Sequence, residues 1–306
     1  MDLRKLILEQ RQIKENSLKS YLISLRKLNH DEEIEDLNFL DDKKHIVEKI
    51  ELLALPTQKN YLTAILVALQ TQPDTDKGEK LIDFYKELLD KKNEKYSNFI
   101  KQNKKTDKQE LNWTTMKDLN LIRKQYEKKI KEFEIKDKDT LNNKNFNMLQ
   151  EYLISALYTL KAPIRLDYAP MKIIKKRKDI EEDQNYLLNI GRNKKKFIIQ
   201  EFKTKKKYGT QEMDIPPKLN TIINMWLKHN KTDSFLLNSR RGKLTANGLG
   251  KLITKTFKDT GKNITLNLLR HIFISENIDL EAVKHNKKLA EEMLHSEGMQ
   301  EDYAKN

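Results

Sequence analysis

Apolar positions recur every three to four residues through most of the first hundred. Leu18, Tyr21, Leu22, Leu25 and Leu28 lay one stripe along a helix. Ile46, Val47, Ile50 and Leu53 give the inner face of a second helix beginning near Asp41, which Pro56-Thr57 stops before opening a third, "TQKNYLTAILVALQ". In "EKLIDFYKELLDKK" the residues Leu81, Phe84, Tyr85 and Leu88 share a side. Four short helices without strands predict a compact all-α unit. The polar run "NEKYSNFIKQNKKTDKQE" then reads as the solvated end of a long helix entering a linker. It predicts a first domain over residues 1–106 and a second over 107–306.

The second domain starts with helical patterns, "LNWTTMKDLNLIRKQYEKKIKEF" and "FNMLQEYLISALYTLKAP", divided by a polar loop. After Pro163 the period changes. The segments "NYLLNI", "KKFIIQEF" and "EMDIPP" have strand character and are separated by "GRNKK" and "KTKKKYGT". They predict a small antiparallel three-stranded sheet. Helical periodicity returns in "PPKLNTIINMWLKHN", "TANGLGKLITKTFKD", "TLNLLRHIFISENI" and "LEAVKHNKKLAEEML". Thr245 is the expected N-cap of the second of these, with Leu249, Leu252, Ile253, Thr256 and Phe257 facing inward. The fold class is therefore mainly α: an all-α domain followed by an α+β one.

Charge changes the picture next. Lys and Arg number 60 against 46 Asp and Glu, a net +14, which favours a polyanionic partner. The abundance of Lys, Asn and Ile also fits an AT-rich genome, which discounts part of that argument. No apolar run approaches the roughly 20 residues of a membrane span, and the N-terminus has no long apolar signal core, so the chain is expected inside the cell and off the membrane. Cysteine is absent, which excludes thiolate zinc sites and disulfides. The 6 histidines form no closely spaced cluster, and the 8 glycines form no phosphate-cradling loop. No metal and no cofactor are expected.

One helix poses a question. In "TLNLLRHIFISENI" an arginine, Arg270, stands among Leu266, Leu268, Leu269, Ile272 and Phe273, where an unpaired charge costs several kcal/mol. Three other places in the second domain carry polar groups against the local pattern. Arg165 follows a helix in "LKAPIRLDY", Lys203 ends a strand in "EFKTKKKYG", and "LHSEGMQEDYAKN" holds His295 and Tyr303. Each has a plain reading as a surface or paired residue. Their order is more specific. Arginine after a helix, lysine in a hairpin, a helical "LxxLRH", then "LHS" and a tyrosine resembles the tyrosine recombinases, the phage-type integrases that break and rejoin DNA. The resemblance runs through most of 112–306, and the first domain resembles the family's core-binding domain, chiefly at "LPTQKNYLTAILVAL".

The resemblance implies a chemistry. A phosphodiester attacked by a phenolate gathers charge on its non-bridging oxygens, and two arginines hold that charge by bidentate bonds. By resemblance these are Arg165 and Arg270, Lys203 is the general acid for the leaving 5′ oxygen, with Lys205 and Lys206 the neighbouring candidates, and Tyr303 is the nucleophile that forms a 3′-phosphotyrosine. Asn267 stands where the family usually has a histidine; it donates a hydrogen bond but exchanges no proton near neutral pH. Activation of Tyr303 then leans on His295, while the neighbouring His271 reads as structural. Leu294 replaces a common glycine, and Tyr303 follows His295 by one residue fewer than in many members. With three residues after Tyr303, exchange of a C-terminal helix between protomers is not expected. Thr57 and Lys59 in the first domain and Lys205 in the second are candidate DNA contacts. The partner implied is double-stranded DNA, with four protomers assembled on it, and the setting a virus or mobile element. The alternatives are a type IB topoisomerase-like enzyme and a weakly catalytic DNA-binding protein of the same fold.

Overall fold

The computed structural model describes residues 2–72, 75–296, 298–299 and 303. The chain divides into two compact units, 1–105 and 106–306. Each has its own hydrophobic core.

In the first unit the described residues form α1 (Leu3–Gln10), α2 (Glu15–Leu28), α3 (Lys43–Glu51), α4 (Leu55–Leu69) and α5 (Asp76–Lys101). The most buried is α4, because "YLTAILVAL" is apolar almost all round; a helix of that kind has to sit among others. The helices α2 and α5 pack on it. Tyr85 from α5 donates a hydrogen bond to Leu40 O at 2.8 Å, satisfying its buried hydroxyl. The stripe in "EKLIDFYKELLDKK" belongs to a 26-residue helix whose last turns are solvated, and Asn103 leaves it at φ 51°. Helix α1 carries no long periodic pattern and only the fold explains it: Leu3 and Ile7 complete the core.

The second unit begins with α6 (Asp107–Asn112), α7 (Met116–Glu132) and α8 (Asn143–Thr159). The single long helix expected from "LNWTTMKDLNLIRKQYEKKIKEF" is broken at Thr114-Thr115. Thr115 forms a capping box with Asp118, which starts α7 afresh. Strands β1 (Lys172–Ile174), β2 (Tyr186–Gly191), β3 (Lys194–Ile199) and β4 (Gln211–Asp214) follow, with the single turn α9 (Lys205–Tyr208) between β3 and β4. Then come α10 (Pro217–His229), α11 (Ala246–Thr256), α12 (Leu266–Asn277) and α13 (Leu280–Glu292). Thr245 caps α11 as its sequence predicts.

The sheet departs from the expected three antiparallel strands. It has four, in the order β1-β2-β3-β4, and β1 runs parallel to β2. Strand β1 is three residues of a lysine-rich run, too short for alternation to register. Its partners come from elsewhere: Lys172 N donates to Asn185 O at 2.9 Å and Ile173 N to Asp233 O at 2.6 Å. The core of this unit gathers α8, α10 and α11 against Phe197, Leu187 and Tyr168, with Trp226 fully buried against Phe146.

Candidate active site

Helix α8 ends at Thr159, and the chain turns back through Pro163 to Arg165, which is extended and opens a one-turn helix, Leu166–Tyr168. The turn is held from behind. Tyr158, fully buried, donates its hydroxyl hydrogen to Arg165 O at 3.1 Å. Helix α12 brings in Arg270. Thr265 caps this helix, and Leu266, Leu268, Leu269 and Ile272 bury its inner side, leaving Arg270 half-buried at the edge of that face. Asn267, one turn earlier on the same side, is exposed, and so is His271.

The two arginines lie within electrostatic reach of each other. Burial, then the charge of Arg165, pushes the Arg270 guanidinium below its ordinary range. Asp167 feels both, but its carboxyl is pushed upward by burial despite the lowering pull of the two arginines. No hydrogen bond or ion pair engages the side chain of Arg165 or Arg270 among the described residues, so Arg165 and the nearby Asp167 do not pair at contact distance. Two half-buried guanidiniums without counterions are unfavourable alone and become favourable when an anion arrives. Their forked donors fit the oxygens of a phosphate.

Lys203 lies in the turn between β3 and α9, exposed, with no hydrogen bond or ion pair among the described residues. Lys205 is in a different position. Its ammonium pairs with Asp183 and sits 3.1 Å from Glu201, and these hydrogen bonds raise its pKa. A lysine so engaged is a poor proton donor to an incoming group, and its ion pairs hold the turn instead. Lys206 is exposed and carries no such tie.

At the C-terminal end of α13 the chain reverses at Leu294, whose φ is 56° and whose side chain is 93 % exposed. His295 N bonds Ala290 O at 3.1 Å and Leu294 N bonds Glu291 O at 3.1 Å, the reciprocal pair of a Schellman turn. Glycine is preferred at that left-handed position, so the leucine is strained there. The turn presents His295 with its ring 5.9 Å, centroid to centroid, from that of Tyr303. Nδ1 of His295 lies 3.1 Å from Ser296 O, an atom that only accepts. In the neutral ring Nδ1 therefore carries the hydrogen, and Nε2, buried and unpartnered, is the bare acceptor beside the tyrosine. Tyr303 is 66 % exposed. No hydrogen bond, ion pair or ring contact among the described residues links this pair to the arginines.

In the first unit Thr57 sits half-buried in the opening turn of α4, and the Lys59 ammonium lies 4.2 Å above the Tyr96 ring. That cation–π contact gives Lys59 an internal role. Tyr158 and Asn185 went unnoticed at the level of sequence. Tyr158 is one aromatic among several in an apolar helix, and Asn185 sits in a polar stretch that resembles a turn. Among the described residues there is no group of three or more metal-ligating side chains.

The chain matches no protein-family profile and no curated protein. Among solved structures, the crystal structure of XerA recombinase superposes with a TM-score of 0.36 at 9 % identity, over 92 % of this chain and 87 % of that one. So loose a superposition leaves the reading to the residues themselves. No helix among the described residues is long and apolar enough to cross a membrane.

Proposed function

We propose that the chain is a DNA strand transferase of the tyrosine-recombinase type, acting at specific sites of a virus or mobile element. The observation that carries this reading is a pair of half-buried arginines, Arg165 and Arg270, within electrostatic reach of each other and without an ion pair among the described residues, in a protein of net charge +14. The scissile phosphate binds there. The Tyr303 phenol gives its proton to His295 Nε2, and the phenolate attacks phosphorus. The new P–O bond to tyrosine forms as the P–O5′ bond breaks, and Lys203 protonates the departing 5′ oxygen. The two guanidiniums hold the charge of the pentacovalent state, each good donor being worth about 3 kcal/mol. Asn267, on the same side of α12 as Arg270, adds a neutral donor. The 3′-phosphotyrosine keeps the bond energy for rejoining. The first domain, 1–106, and the catalytic domain, 107–306, both bind duplex DNA, and four protomers assemble on two sites.

Asn267 favours a second reading, a DNA-binding protein of this fold that cuts weakly, since no imidazole stands one turn before Arg270. One experiment separates them. Wild type and Tyr303→Phe are incubated in EDTA with a pool of randomised nicked duplexes, and covalent adducts are sought on a denaturing gel. Strand transfer predicts an adduct with wild type alone. Retarded DNA with no adduct identifies the binder.

A further inference from the structure

We propose that Asn185 is the positioning residue that registers the Lys203 turn against the Arg165 turn, an inference that rests on the strand-transfer reading above. Asn185 is buried to 1 % exposure, and its amide uses every bonding direction within reach. Nδ2 donates to Asp167 O at 3.2 Å and to Glu201 O at 3.0 Å. Oδ1 accepts from Gln200 N and Glu201 N, both at 2.8 Å. Its own carbonyl accepts from Lys172 N at 2.9 Å, which ties it into the start of the sheet. One side chain thus joins the turn that carries Arg165 to the residues where β3 ends.

The geometry isolates Lys203. Glu201, two residues before it, is clamped at its backbone by Asn185. Lys205, two residues after it, is clamped at its side chain by Asp183 and Glu201. Lys203 keeps its ammonium uncommitted between two anchored positions, whereas Lys206, also free, lies beyond the second anchor. A hairpin without that strap would place the ammonium over a range of positions, and proton delivery depends on reach. No other side chain in the described structure bonds both turns.

The test compares leaving groups. Nicked duplexes captured by wild type from a randomised pool are resynthesised with oxygen or with sulfur at the scissile 5′ bridge. A thiolate departs without protonation, so a defect in the acid disappears on the sulfur duplex. Lys203→Ala is expected to slow adduct formation on oxygen by at least about a hundredfold and to be nearly normal on sulfur. Asn185→Asp keeps both acceptor bonds and loses both donations. It is expected to show the same pattern, at least about tenfold slower on oxygen and within about threefold on sulfur. The double variant is expected to be no slower than Lys203→Ala. Asn185→Ser, neutral and smaller, replaces Asn185→Asp if the buried carboxylate prevents folding. Equal slowing on both duplexes, no slowing on either, or additivity with Lys203→Ala overturns the assignment. If wild type captures no duplex at all, the strand-transfer reading fails and the inference falls with it.

Discussion

At the scale of single residues, Arg270 and Leu294 are both locally unfavourable. Arg270 surrenders part of its hydration on an apolar helix without gaining a carboxylate at ion-pair distance, and Arg165 nearby adds repulsion. Such an arrangement persists where a ligand supplies the missing charge. Leu294 holds a left-handed φ of 56° that costs an L-residue about 1–2 kcal/mol. Its side chain is 93 % exposed, so substitution removes little packing. Leu294→Gly is therefore expected to stabilise the second unit by about 1 kcal/mol, read as a rise in its urea midpoint. An unchanged or lower midpoint would mean that the leucine makes contacts its exposure does not suggest. The strain was foreshadowed in the sequence, where leucine stands at a position the family resemblance associates with glycine; the φ value supplies the reason.

Among elements, the β2–β3 hairpin shows how a charged side chain can act as glue. "GRNKK" reads as an ordinary basic turn, yet Lys195 is buried to 7 % exposure. Its three ammonium hydrogens are shared among four oxygens, Gly191 O at 3.1 Å, Arg192 O at 2.7 Å, Asn220 Oδ1 at 3.1 Å and Asn224 Oδ1 at 2.6 Å. The two asparagines, on successive turns of α10, also donate to Arg192 O at 3.0 Å each. Burial lowers the pKa of Lys195, but the four oxygens still solvate its charge. Lys195→Met fills the space but takes the donor from Gly191 O and from both asparagine Oδ1 atoms, while Arg192 O keeps the asparagine donors; it is expected to destabilise the second unit by about 2 kcal/mol in urea unfolding. A loss below about half a kcal/mol would show that the hairpin docks through its apolar residues alone. Nothing in the run of five residues discloses this, because the partners lie on a helix some 25 to 29 positions further along.

For the whole molecule the governing quantity is charge. Surplus lysine and arginine, 60 against 46 acids, make duplex DNA a favourable partner through release of its counterions. The affinity of the intact chain for a non-specific duplex is expected to fall with a log–log salt slope of about −4 or steeper, measured by fluorescence anisotropy. A slope near zero would remove DNA as the general partner, whatever the arginine pair binds. Not every cation counts toward that slope. Lys92 pairs with Glu51, Lys205 with Asp183, and Arg177 with Glu212, so these cations are neutralised inside the fold while the surplus of 14 is left to act outside it.

Local periodicity is a short-range property, and it determined what short-range forces determine. The stripes of α2, α4, α5, α8 and α12, the cap at Thr245 and the three longer strands follow from residues within a turn or two of each other. Arg165 and Arg270 also stand out in the sequence, because each violates the pattern around it. Tertiary structure decided what depends on distant partners. Strand β1 exists because Asn185 and Asp233 offer it hydrogen-bond acceptors. Lys205 differs from Lys203 because Asp183 and Glu201 reach it. Arg270 is not half of an ion pair because Asp167, two residues from Arg165 in the chain, stops short of ion-pair contact with either guanidinium. Those outcomes turn on distances of a few ångströms between residues tens of positions apart, and no window along a sequence contains them.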